Sequence, residues 1–233
     1  MRPRAEFDEG SSRVTTESAF LPEHFERVDE TPDSEFYSAP RFVVHIDDQA
    51  IDAAGRAYAS LLPRDGEILD LMSAWRSHLP DDFLVARLVG LGMNAEEMAE
   101  NPRLDEYVVH DLNADPVLPF EAGRFDGAID TVSVQYLTRP VEVFAEVYRV
   151  LRPGGRFIVT YSNRCFPTKA VRIWTALGDK GHAQLVGAYF HRSAPWVDLA
   201  AYECNPSRTN GDPLSAVHAR KPISEESSQC GVG

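Results

Sequence analysis

The sequence predicts an α/β fold: a seven-stranded, mostly parallel sheet with helices on both faces and a C-terminal antiparallel hairpin. Three observations predict it. Short, nearly continuous apolar runs alternate with segments of helical periodicity, the pattern of strands covered on both sides. Phe125–Asn163 reads as strand, helix, Pro-Gly-Gly stop and strand, which is a right-handed crossover unit. Two β-rich runs near the C-terminus are separated by the turn-rich SRTNGDP, a connection that suits an antiparallel pair.

The elements follow in order. Residues 1–35 are polar, acidic and rich in Ser, Thr and Glu, and read as a mobile arm. The domain is expected over 36–221. Asp48–Leu62 carries Ile51, Ala54, Tyr58, Leu61 and Leu62 at helical spacing. Strands are expected at Glu67–Met72, Ala86–Met93 and Tyr107–Leu112, with a short helix at Ala95–Asn101 capped by Asn94. Ala128, Ile129, Val132 and Val134 mark the fourth strand. Pro140 opens a helix, where a first-turn proline is tolerated. Val141, Phe144, Val147, Tyr148 and Leu151 make its buried stripe. Pro153-Gly154-Gly155 ends that helix, and Phe157–Val159 form the fifth strand. HAQLVGAYFH, residues 182–191, reads as a helical insertion. Val197–Asn205 and Leu214–Arg220 are the last two strands, and 222–233 form a flexible tail.

Composition narrows the function. The chain has 233 residues, of which 43% are hydrophobic, enough for one substantial domain. A net charge of −13 argues against sequence-independent nucleic-acid binding, which needs Lys and Arg on phosphates. Three cysteines give no disulfide framework and no metal spacing, and the His residues are not spaced as ligands. No secretory h-region is present, and no run approaches the roughly 18 apolar residues of a membrane span. A cytoplasmic protein acting on a small molecule, without nucleic acid or membrane, is the expectation.

FDGAIDTVSVQYL and RVLRPGGRFIVTYSN resemble the fourth and fifth strand regions of the class I S-adenosylmethionine (SAM) methyltransferases, with the type 11 pattern. The resemblance implies a Rossmann-like sheet, SAM as cofactor and a site at the carboxyl ends of the strands. Asp70 stands at the family's acidic position after the first strand. The glycine-rich loop that should follow reads Met72-Ser73-Ala74-Trp75-Arg76, with none of its glycines. Ser73 is a candidate hydrogen-bond donor there. Gly92 stands where the family has its ribose-binding acid, so the resemblance leaves Asn94 either as a weak substitute or as a helix cap. His110-Asp111-Leu112 resembles the adenine-binding segment, and Asp111 is the expected adenine contact or, alternatively, an Asx-turn. Ser133 and Tyr136 follow the fourth strand, where the family faces the reacting sulfonium.

Tyr136, His110 and His45 are the candidate catalytic residues. Tyr37 and Arg41 are candidate lid contacts for substrate. Asn163, Arg164 and Lys169, in an unusually polar loop after the fifth strand, suit an anionic acceptor. Cys165 reads as a packed thiol. The resemblance implies methyl transfer to a small molecule. The missing glycines leave two other readings: an enzyme on this fold performing cyclisation, elimination or isomerisation, or a non-catalytic binding relative.

Overall fold

The computed structural model of the protein describes residues 2–3, 20–205 and 211–223. In chain order the strands are β1 (Arg2–Pro3), β2 (Glu67–Leu71), β3 (Arg87–Gly92), β4 (Glu106–Val109), β5 (Phe125–Thr131), β6 (Leu151–Ser162), β7 (Val197–Glu203) and β8 (Leu214–Arg220). The helices are α1 (Asp33–Phe36), α2 (Asp48–Leu61), α3 (Ala95–Ala99), α4 (Pro140–Val150), α5 (Arg172–Thr175) and α6 (Asp179–Ser193).

The strands form one sheet in the order β1-β7-β8-β6-β5-β2-β3-β4. β4, β3, β2, β5 and β6 are parallel, and β8 and β7 run antiparallel to their neighbours. These are the seven expected strands. The eighth, β1, is a two-residue edge pairing of Arg2–Pro3 with Tyr202 and Glu203. The chain moves outward from β2 to β4 and then returns beside β2 as β5, so the order reverses at the β2–β5 seam. The carboxyl ends of those two strands open a crevice there.

Apolar burial explains the layers. Leu69, Leu71, Ala128, Phe157 and Val159 pack on one face against α4 and α6, through Phe144, Val147, Tyr189 and Phe190. Ile68, Leu88, Ile129 and Ile158 pack on the other face against Ala50, Ala53, Ala54 and Tyr58 of α2. The Tyr58 hydroxyl bonds Thr131 Oγ1 at 2.6 Å and Thr160 Oγ1 at 2.8 Å, tying α2 to the tips of β5 and β6.

Three expectations are corrected. First, Pro153-Gly154-Gly155 does not end α4. The helix stops at Val150, and the Lys221 ammonium takes up the carbonyls of Tyr148 (2.9 Å) and Leu151 (2.8 Å). The Pro-Gly-Gly run lies inside β6 as an irregularity against Phe125–Gly127, with Gly154 at φ 86°. Second, the buried stripe of α4 is Val143, Phe144, Val147 and Val150, while Val141 and Tyr148 are only half-buried. Third, residues 20–35 of the expected arm pack on the domain. Phe20 and Phe25 contact the Tyr189 ring, and Asp29 N donates to Thr168 O at 2.8 Å. The packed chain thus extends back to Phe20, because these aromatics bury themselves on α6. Residues 1 and 4–19 of the arm, 206–210 of the final turn and 224–233 of the tail lie outside the described residues.

Candidate active site

A cavity opens over the carboxyl ends of β2, β3 and β5 and is roofed by residues 33–46. Two of its corners carry backbone in the left-handed region. Met72 has φ 55°, just past β2, and Val132 has φ 53°, just past β5. Such conformations cost side-chain-bearing residues on the order of 1–3 kcal/mol and collect at functional sites. Met72 fills the first glycine position of the family loop, so the backbone there keeps a glycine-like turn despite its side chain.

The rest of that loop takes its own path. Ser73 N donates to Leu91 O at 2.8 Å, and Asn101 Nδ2 donates to Ala74 O at 2.9 Å, so the loop leans across the end of β3. The Ser73 carbonyl stands against Gly92, closer than any Cβ at residue 92 tolerates. Gly92 is therefore glycine for a packing reason. Ser73 Oγ donates to Asp70 Oδ2 at 2.7 Å. Burial pushes the Asp70 carboxyl up to about 6, against the hydrogen bonds from Ser77 and Ser73. Burial likewise pushes Asp130, at the tip of β5, up to about 7, although Ser133 Oγ donates to it at 2.6 Å. Trp75 Nε1 donates to Val43 O at 2.9 Å and locks the loop to the roof.

The roof is aromatic and cationic. The Arg41 guanidinium lies 4.5 Å from the Phe36 ring centroid, 5.7 Å from Tyr37 and 5.8 Å from Phe166. Arg41 Nη2 donates to Phe36 O at 2.6 Å, while Nη1 is buried without a partner. Arg41 N donates to Glu97 Oε1 at 2.6 Å, which fastens the roof to α3. The His45 ring sits 5.2 Å from Phe166. Its pKa is lowered by partial burial and then by Arg41. His78, also at positive φ (53°), is held neutral, its pKa pushed down to about 4 by burial and then by Arg76.

Twelve of the fifteen residues expected at the site line this cavity, including Asp70, Met72, Ser73, Leu112, Ser133, Tyr37 and Arg41. Asn94 is both a lining residue and a cap. Its Oδ1 accepts from Glu97 N at 3.0 Å, and its Nδ2 donates to Tyr37 O at 3.0 Å. Asp111 lines the cavity but forms the Asx-turn, its Oδ1 accepting from Asn113 N at 2.9 Å. His110 Nε2 faces Asp115 O at 2.8 Å; a carbonyl only accepts, so this nitrogen carries the proton and Nδ1 keeps a lone pair in the neutral ring. The Tyr136 hydroxyl accepts from Phe166 N at 2.8 Å, and burial pushes its pKa up to about 12, so it acts as a neutral phenol.

Asn163, Arg164 and Lys169 do not line the cavity. Asn163 is exposed on the loop after β6, with Ser162 Oγ at 3.4 Å. Arg164 is exposed and paired with Asp212 at 2.8 Å. Lys169 is fully buried, with its ammonium on Thr31 O (2.6 Å), Asp33 (3.3 Å) and Asp29 (3.5 Å). Both cations are neutralised by partners far away in the chain. Sequence reasoning missed Asp33, Glu97 and His78. Asp33 lay in the acidic arm, and Glu97 in a helix whose third residue is ordinarily a capping partner.

In a doubly wound, mostly parallel sheet, a cavity at the switch point is where ligands bind. Residues 76–159 match the methyltransferase domain family. The chain is 33% identical over 112 residues to the ubiquinone/menaquinone biosynthesis C-methyltransferase of Dinoroseobacter shibae, covering 46% of this chain and 43% of that one. It is similar in fold to the SAM-dependent methyltransferase of Mesorhizobium loti (TM-score 0.51, 18% identity, 72% of this chain and 98% of that one). The same holds for phosphoethanolamine N-methyltransferase 2 of Haemonchus contortus, solved with SAM (TM-score 0.53, 13% identity, 73% and 52%). Residues 76–159 are thus similar to the methyltransferase domain family, and the sheet has the Rossmann-like fold seen in solved SAM-dependent methyltransferases. The matches span less than half the length of the curated relatives.

Proposed function

We propose that this protein is a SAM-dependent methyltransferase acting on a small-molecule acceptor in the cytoplasm. The observation that carries this reading is the cavity at the β2–β5 seam, which gathers the residues of three strand ends where the superfamily binds its cofactor. The fit is good on the adenine side, where Asp111 and Leu112 line the wall, and at the first loop position, where Met72 keeps the glycine-like turn. When bound, SAM supplies an electrophilic methyl group on a sulfonium.

The chain's own residues then position and shield. Tyr37, Tyr136 and Phe166 line the cavity, and aromatic rings there suit a cationic centre such as a sulfonium. Trp75 and the roof residues Val43–Ile46 restrict water. An acceptor that must lose a proton meets His110 Nδ1, or His45, whose pKa is lowered by burial and then by Arg41. With Arg164 and Lys169 committed elsewhere, Arg41 and Arg76 are the cavity-lining cations left for an anionic acceptor group. Cys165 and Cys204 are free thiols. Among the described residues no helix is long and apolar enough to cross a membrane.

The test is incubation with SAM and a panel of small acceptors, followed by mass analysis. Methylated product formed one-for-one with S-adenosylhomocysteine supports the reading. An acceptor transformed without any S-adenosylhomocysteine supports the second reading, a non-methylating enzyme on this fold, whose motive is the glycine-free Met72–Arg76 loop.

A further inference from the structure

We infer that Glu97 takes over the binding of the ribose hydroxyls, the task that Gly92 has lost; the inference rests on the cofactor reading above. A nucleoside entering a half-closed cavity gives up water at two hydroxyl donors, and each needs an acceptor there. The end of β3 offers none, since Gly92 has no side chain and the Ser73 carbonyl blocks any that might replace it. Glu97 stands one helical turn further on, in α3, is 8% exposed and lines the same cavity.

The state of its carboxylate supports the assignment. At the third position of a helix, a glutamate ordinarily folds back on the cap residue's N–H. Here the Asn94 side chain caps Glu97 N, but Glu97 turns away and accepts from Arg41 N through Oε1. Its Oε2 has no protein partner among the described residues, yet is not sealed off as a buried orphan. Of the other lining carboxylates, Asp33 holds Arg27 and Asn113 and Asp70 holds Ser73, while Asp111 closes its Asx-turn through Oδ1 and stands past β4, on the adenine side rather than at the end of β3. Burial raises the Glu97 pKa, with Arg41 opposing, so a hydroxyl donor also relieves a desolvated carboxylate.

The simplest competing role is a latch that only holds the roof through Arg41. Glu97→Gln separates the two, because its amide oxygen still accepts from Arg41 N while the second acceptor is lost. Calorimetric titrations would compare adenosine with 2′,3′-dideoxyadenosine on wild-type protein and on Glu97→Gln, with the melting temperature as a check of folding. The expected result is a wild-type preference for adenosine of about tenfold or more that disappears in the variant, with dideoxyadenosine binding unchanged. A preference that survives in Glu97→Gln, or an equal loss for both nucleosides, overturns the inference and leaves Glu97 as a latch. Wild-type protein that binds S-adenosylhomocysteine but does not distinguish the nucleosides overturns it too, with the cofactor reading intact. Binding of none of the three removes both.

Discussion

The carbonyl oxygen of Ser73 occupies the space into which a Cβ on Gly92 would project. The two departures from the family pattern, the lost glycine loop and the lost ribose acid, are therefore one structural event. The loop after β2 leans over β3, and residue 92 must be glycine to receive it.

Restoring the family acid fails for this reason. Gly92→Asp is expected to destabilise the protein by about 2 kcal/mol or more through overpacking against backbone. Urea unfolding measures this, and wild-type stability in that variant would contradict the packing account.

Met72 sits at φ 55°, so substitutions there should rank by backbone rather than by apolar surface. Met72→Gly is expected to lie within about 1 kcal/mol of wild type, since relief of strain offsets lost packing. Met72→Ile, although it retains apolar bulk, is expected to cost roughly 2 kcal/mol more than Met72→Gly. The reverse order in thermal unfolding would show that the side chain dominates.

Lys169 and Arg164 should behave oppositely. Lys169→Met strips a fully buried ammonium from Asp33 and Asp29 and is expected to cost about 3 kcal/mol, with faster amide exchange across residues 27–36. Arg164→Ala loses an exposed pair with Asp212 and should cost less than about 1 kcal/mol. Equal effects on stability would refute the buried-anchor assignment.

Asp130 predicts a pH signature. Its folded pKa is raised to about 7 from 3.8, so between those values the folded chain holds a proton that the unfolded chain has released. Asp130 therefore contributes stability that is lost as pH rises through about 4 to 7. Asp130→Asn lacks that proton. Its stability relative to wild type should rise by at least ~1 kcal/mol across the window and level off above it. A pH-independent difference would mean that the carboxyl is not perturbed.

The sheet was legible because β2, β3, β5 and β6 carry short buried apolar runs and α2 and α4 are separate periodic segments. The β7–β8 pair was found within a residue or two from β-rich runs flanking a turn. Pro153-Gly154-Gly155 misled because glycine and proline signal a break without saying whether it falls after a helix or inside a strand. Arg164 and Lys169 were read as free cations because their partners, Asp212 and Asp29 with Asp33, lie far along the chain. Glu97 was hidden for a related reason. Only the path of the roof, with Arg41 N on its carboxylate, turns it from the helix surface into the cavity.

Calorimetric titration of the wild-type protein with S-adenosylhomocysteine tests the central claim most directly. The account predicts one-to-one binding in the micromolar range, roughly −8 kcal/mol, accompanied by a rise in melting temperature. A folded protein that gives no binding heat and no thermal shift at millimolar ligand would contradict it.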